Sequence, residues 1–144
     1  VFVVGAYEAP TGGCDTIKVL EEAFELAQVK HAAGHHVLFE GLFAMNHTRG
    51  PVLARQVGMS NFHLVRLTTP LDLCFKRINE RRAAAGQGLL EERGRAENAR
   101  KNISSNHTRA GNYAAKLSFL GAKVHRTESD GAPELILGLL RGAQ

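Results

Sequence analysis

The sequence predicts an α/β protein built on a parallel sheet with helices on both faces. Short apolar, β-branched runs alternate with stretches of helical spacing along the whole chain. Strands that alternate with helices pair in parallel and are covered by their crossover helices. The length of 144 residues suits a single domain spanning 1–144, and 44% hydrophobic residues supply a core.

The elements follow in order. Val1 to Gly5 reads as a buried strand, and Tyr7 to Asp15, with Pro10, Gly12 and Gly13, as a loop. Ile17, Leu20, Ala23, Phe24 and Ala27 recur at helical spacing from Thr16 to about Ala33. Asp15 or Thr16 is the expected cap and Gly34 the expected stop. His36 to Phe39 is a second strand, Thr48 to Val57 a helix and Phe62 to Leu67 a third strand. Thr69-Pro70 begins a helix with Pro in its first turn. That helix points Leu71, Leu73, Cys74, Phe75 and Ile78 inward and Lys76, Arg77, Arg81 and Arg82 outward. Ala83 to Arg95, small, glycine-containing and charged, is expected to be an exposed flap or lid. Ala96 to Leu120 is helical in its second half, Ala122 to Arg126 is a fourth strand, and Pro133 to Leu140 is the last helix. The tetrad Asn-His-Thr-Arg occurs at 46–49 and 106–109, and each copy sets an Arg beside an expected helix start. The flanking sequence differs, so the match is coincidental.

Composition narrows the classes. The two cysteines, Cys14 and Cys74, give no disulfide framework and imply a reduced, cytoplasmic setting. No apolar run reaches membrane-spanning length, and none has the order of a signal peptide. The seven histidines form no metal set with a Cys-x-x-Cys pair, and no Gly-x-Ser-x-Gly elbow occurs. A formal net charge of +4 suits an acidic ligand without identifying one.

In parallel sheets, ligands bind at the carboxyl ends of the strands. Ala6 to Asp15, Glu40 to Asn46, Thr68-Thr69 and Arg126 to Asp130 therefore hold the candidate residues. Glu40 is delivered there by Val37-Leu38-Phe39. A carboxylate in that place holds hydrated magnesium or takes a proton from an acceptor hydroxyl; a plain surface Glu is the alternative. Arg77 and Arg81, four apart on one helix face, with Arg82 beside them, form either a cationic lid or a solvated basic face. Gly12, Gly13 and Asp15 allow close backbone approach to a ligand, or form a turn and a helix cap. The chain contains no Gly-x-x-x-x-Gly-Lys-[Ser/Thr].

The pieces Gly12-Gly13-Cys14-Asp15-Thr16-Ile17, His36-Val37-Leu38-Phe39-Glu40-Gly41-Leu42 and Val65-Arg66-Leu67-Thr68-Thr69-Pro70-Leu71-Asp72, leading to Arg77-Ile78-Asn79-Glu80-Arg81-Arg82, carry a resemblance. With them the chain resembles the later two-thirds of P-loop nucleoside and nucleotide kinases, above all a thymidylate-kinase-like group of phages and actinobacteria. The resemblance implies a three-layer fold whose first strand and phosphate loop precede Val1, in keeping with the start at Val1-Phe2-Val3-Val4 without Met. It implies ATP and Mg2+, with Glu40 near magnesium or the acceptor and Arg77, Arg81 and Arg82 as lid. Gly12, Gly13 and Asp15 would lie near a nucleotide, a nucleoside or a modified base within DNA; Arg82, and Arg109 from the repeated tetrad, are the further expected substrate contacts. It also implies a sheet order in which Val1 to Val4 neighbours Val37 to Phe39, and Phe62 to Leu67 neighbours Lys123 to His125, on either side of the absent strand. The rival reading is a non-catalytic α/β binding or regulatory module that naturally lacks a phosphate loop.

Overall fold

The computed structural model describes residues 1–5, 17, 19–41, 45–91 and 94–142. Its elements are β1 (Phe2–Val3), α1 (Leu20–Ala32), β2 (Val37–Leu38), α2 (Arg49–Val57), β3 (His63–Leu67), α3 (Leu71–Ala84), α4 (Ala96–Phe119), β4 (Lys123–Thr127) and α5 (Ala132–Gly142). The class is α/β and every strand pairing is parallel.

β1 lies beside β2 with Phe2 opposite Val37, and β3 beside β4 with His63 opposite Lys123 and Leu67 opposite Thr127. These are the neighbours expected from the sequence. Among the described residues the two pairs are separate two-stranded sheets, with no ladder from β2 to β3. A parallel strand enclosed by neighbours and helices is buried on both faces. β3 is not: His63 to Arg66 are half-buried and Leu67 is 48% exposed.

Side chains join the two halves. One core packs Val4, Ala23, Phe24, Ala27 and Leu53, with Phe24 edge-on to Phe39 at 5.1 Å. The other packs Ala54, Tyr113, Leu117 and Ala122. Phe62 lies against both. Neighbouring helical residues diverge by about 100°, so Leu53 serves the first core and Ala54 the second, and α2 spans the seam. Gly50 lets it do so: a Cβ there would overlap Tyr113 Oη and stand 2.7 Å from Cζ.

Several local expectations are revised. Asp15 and Thr16 lie outside the described residues, and α1 begins at Leu20 after Val19, with no side-chain cap. α1 stops, as expected, before Gly34, which has φ +84°. Pro70 is the N-cap of α3 with ψ 145°, one position ahead of the expected first turn. Of the α3 residues expected inside, only Phe75 is buried, while Leu71 is 40% exposed. α4 is helical from Ala96, so the second Asn-His-Thr-Arg, with Arg109, lies in mid-helix. In the first copy the Asn46 side chain accepts the N–H groups of Thr48 at 3.0 Å and Arg49 at 2.7 Å and starts α2. No described helix is long and apolar enough to cross a membrane.

Side chains alternate across a strand, so Leu64 faces the α4 core while His63 and His125 share the opposite face. Their rings lie within 7° of parallel, with Nδ1 of His63 3.1 Å from Nε2 of His125. One ring must donate and the other accept. Burial, then the Lys123 charge and then His125, hold the His63 pKa below 6.5. The unfolded chain therefore binds a proton near pH 6.5 that the folded chain resists. Stability should be constant above this range and fall as the pH drops below 6.5. His63→Gln should flatten that fall. Denaturant titrations of both proteins across the acid range check it; equal pH slopes would remove the role of the pair.

Candidate functional site

Parallel pairing gathers the carboxyl ends of the strands at one edge within each pair. Glu40 stands just beyond β2 and is exposed. The expected ligand residues Gly12, Gly13 and Asp15 lie outside the described residues. Among the described residues no group of three or more His, Cys, Asp or Glu is placed to hold a metal ion.

The ends of β3 and β4 are locked together. Thr68 N–H donates to Thr127 O at 2.8 Å, and the Thr68 hydroxyl donates to the same oxygen at 3.2 Å. Thr69 is 5% exposed; its hydroxyl oxygen accepts Ser129 N–H at 3.0 Å and lies 3.0 Å from Ser129 Oγ. Arg77 then clamps the short turn Ser129–Gly131: Nη2 reaches both Asp130 carboxylate oxygens at 2.9 Å, and Nη1 donates to Ser129 Oγ. A planar guanidinium suits such a fork.

The arginines expected to act together thus stand in different circumstances. Arg77 is engaged by Asp130. Arg81 is exposed, makes only a 3.4 Å contact to Arg77 O, and has no carboxylate in ion-pair range among the described residues. Arg82 donates through Nε to Gly88 O at 2.9 Å and holds the start of the flap. Arg109 is exposed on α4. Thr69, Ser129 and Asp130 lie in stretches the sequence marked as candidates, but no role was assigned to them individually. Their position directly after strands was the available signal, but their mutual bonds depend on the β3–β4 register.

Only part of the flap is as open as expected. Ala83 to Gln87 are exposed, but Leu90 is 6% exposed. Leu90 N–H donates to Asn79 Oδ1 at 3.0 Å, and Asn79 Nδ2 donates to the Glu91 carboxylate at 2.9 Å. Asn79, on α3, therefore closes the flap from both sides. Beneath it α3 and α4 border a cavity of about 490 Å³ lined by Phe75, Lys76, Asn79, Leu89 and Arg100 among others. Arg100 lies 4.3 Å over the Phe75 ring and pairs with Asp72 at 2.6 Å.

The chain is similar to a protein of Pseudomonas phage PaMx11 described as a 5-hmdU DNA kinase, with 39% identity over 82 residues. That stretch is 57% of this chain and 43% of the phage protein, so the match spans less than half of the relative. No protein-family model matches the chain, and no solved structure matches it.

The Asn79 contacts give a direct test of how the flap is held. Asn79→Ala should leave the fold intact and speed amide exchange at Leu90 about tenfold, the scale of one lost hydrogen bond. Native-state exchange read at that amide decides it. An unchanged rate would show that burial of the Leu90 side chain alone fixes the flap.

Proposed function

We propose that the chain is the later part of an ATP-dependent, magnesium-requiring kinase of the P-loop, thymidylate-kinase-like kind, with a 5-hmdU residue of DNA as its acceptor. The carrying observation is the 39% identity over 82 residues to the phage protein described as a 5-hmdU DNA kinase. The strand pairs lend further support. In kinases of the resembled type, the strand leading into the phosphate loop stands between the strands that correspond to β2 and β3, whose facing edges pair with no strand among the described residues.

Phosphoryl transfer forms a bond from the acceptor hydroxyl oxygen to the γ-phosphorus of ATP, breaks the bond to the departing ADP and releases one proton. Catalysis of this kind is positioning and charge stabilisation. Magnesium, when bound, neutralises phosphate charge; it keeps several waters and takes few carboxylates. A lone exposed carboxylate at the sheet edge, Glu40, fits that donor set. Glu40 holds the hydrated ion or accepts the hydroxyl proton. Arg81 is the exposed lid cation facing donor phosphates. Arg77, bound to Asp130, orients the turn after β4, and Arg82 fixes the flap. Gly12, Gly13, Asp15 and Arg109 belong to the acceptor side.

The whole protein, given ATP and magnesium, should label DNA containing 5-hmdU and leave unmodified DNA and free thymidylate unlabelled. Label in the free nucleotide would replace the acceptor; no label in any of them would end the kinase reading. Glu40→Gln should lower turnover at least about a hundredfold, the scale of lost proton or metal assistance, with an unchanged melting temperature. Unchanged turnover would make Glu40 a surface residue.

A further inference from the structure

We infer that Arg66 and Arg126 form a binding site for a phosphate group on the α4 side of the β3–β4 pair. The two residues are direct partners in the parallel register, so both side chains leave the sheet on one face. Leu64 on the same face packs into the α4 core, which identifies the face.

Like charges placed directly opposite across strands repel. No carboxylate lies in ion-pair range of either guanidinium among the described residues, and Glu128, two residues beyond Arg126, is not paired with it. Asp130, the other nearby carboxylate, is taken by Arg77. Among the described residues Arg66 Nε is buried with no hydrogen-bond partner. An uncompensated cation pair on one sheet face is the arrangement that an anion relieves.

The helix opposite makes room for one. The Arg66 guanidinium lies flat against α4 at Gly111, where a Cβ would stand 3.2 Å from Nη2 and 3.4 Å from Cζ. Farther along, Ala114, Ala115 and Ser118 of α4, with Val124 and Arg126, border an open cavity of about 610 Å³. Arg126 is exposed there. Small side chains leave space, Ser118 adds a hydroxyl, and the Arg126 fork, of a shape that matches phosphate oxygens, lines the cavity while the Arg66 guanidinium adds its charge from the Gly111 side. The chemistry is shared by free phosphates and by the backbone of a polynucleotide. It stands on this geometry alone and needs no phosphoryl transfer.

Titration calorimetry at low salt decides it, with pyrophosphate and an unmodified oligodeoxynucleotide as separate probes. Saturable binding should appear with at least one. Arg126→Gln should weaken it at least about tenfold, the scale of a lost charge-assisted contact, and Arg126→Lys should restore part. Because Arg126 is exposed, its Gln variant should melt at or above the wild-type temperature in phosphate-free buffer, since repulsion is relieved. Binding of pyrophosphate points to a free or nucleotide phosphate. Binding of the oligonucleotide alone, with a salt slope reduced by about 0.7 in Arg126→Gln, points to the nucleic-acid backbone. Failure of both probes to bind, or binding unchanged in both Arg126→Gln and Arg66→Gln, overturns the site.

Discussion

Side-chain packing through one short helix, rather than a continuous ladder of backbone bonds, joins the two strand pairs. α2 has nine residues and faces both cores. Leu53 enters one and Ala54 the other. Its first turn approaches α4 so closely that Gly50 and the Tyr113 ring fill one space. On its outer side Arg49 meets Glu21 of α1 at 3.3 Å, an exposed pair of the kind that contributes little. The seam therefore rests on apolar contact at Leu53, Ala54 and Phe62, and the relative placement of Glu40 and the β3–β4 loops depends on it.

The carboxyl edge of the strands is divided in the same way. Beyond β3 and β4, Thr68, Thr69, Ser129, Asp130 and Arg77 form one closed set of bonds, so that loop pair is held rigidly. Among the described residues Glu40 has no comparable set. The proposed phosphoryl transfer would use such a contrast, because fixed dipoles stabilise charge while a lid must open and close. Asn79 and Arg82 place the flap between these extremes, with its first half exposed and its second half tied to α3.

Much of the fold was legible because alternation and helical spacing are local signals. β3 and β4 fall within a residue of their expected ends, and α5 within two. The neighbours of each strand were also legible, but through a family resemblance rather than from spacing. What could not be read was any property set by two distant segments. Arg77 looked like a free lid cation because Asp130 is 53 residues away. The flap looked open because its closure depends on contacts with the preceding helix, chiefly those of Asn79 and Arg82. The length of α4 was underestimated because its first half, Ala96 to Ser105, is polar and buries nothing fully, so hydrophobic periodicity is weak there.

Tyr113 also has a spectroscopic consequence. The chain has no tryptophan and two tyrosines, Tyr7 and Tyr113, so near-ultraviolet absorption and emission come chiefly from the phenols. The hydroxyl of Tyr113 is buried without a hydrogen-bond partner among the described residues, and burial raises its pKa to about 12. It stays un-ionised in alkaline solution where an ordinary phenol has become phenolate. Because the ring lies between α2 and α4 with His47 edge-on at 5.5 Å, parting of the seam would expose the hydroxyl and bring its ionisation back toward the ordinary range. The chromophore is thus a built-in optical gauge of whether the two halves are docked.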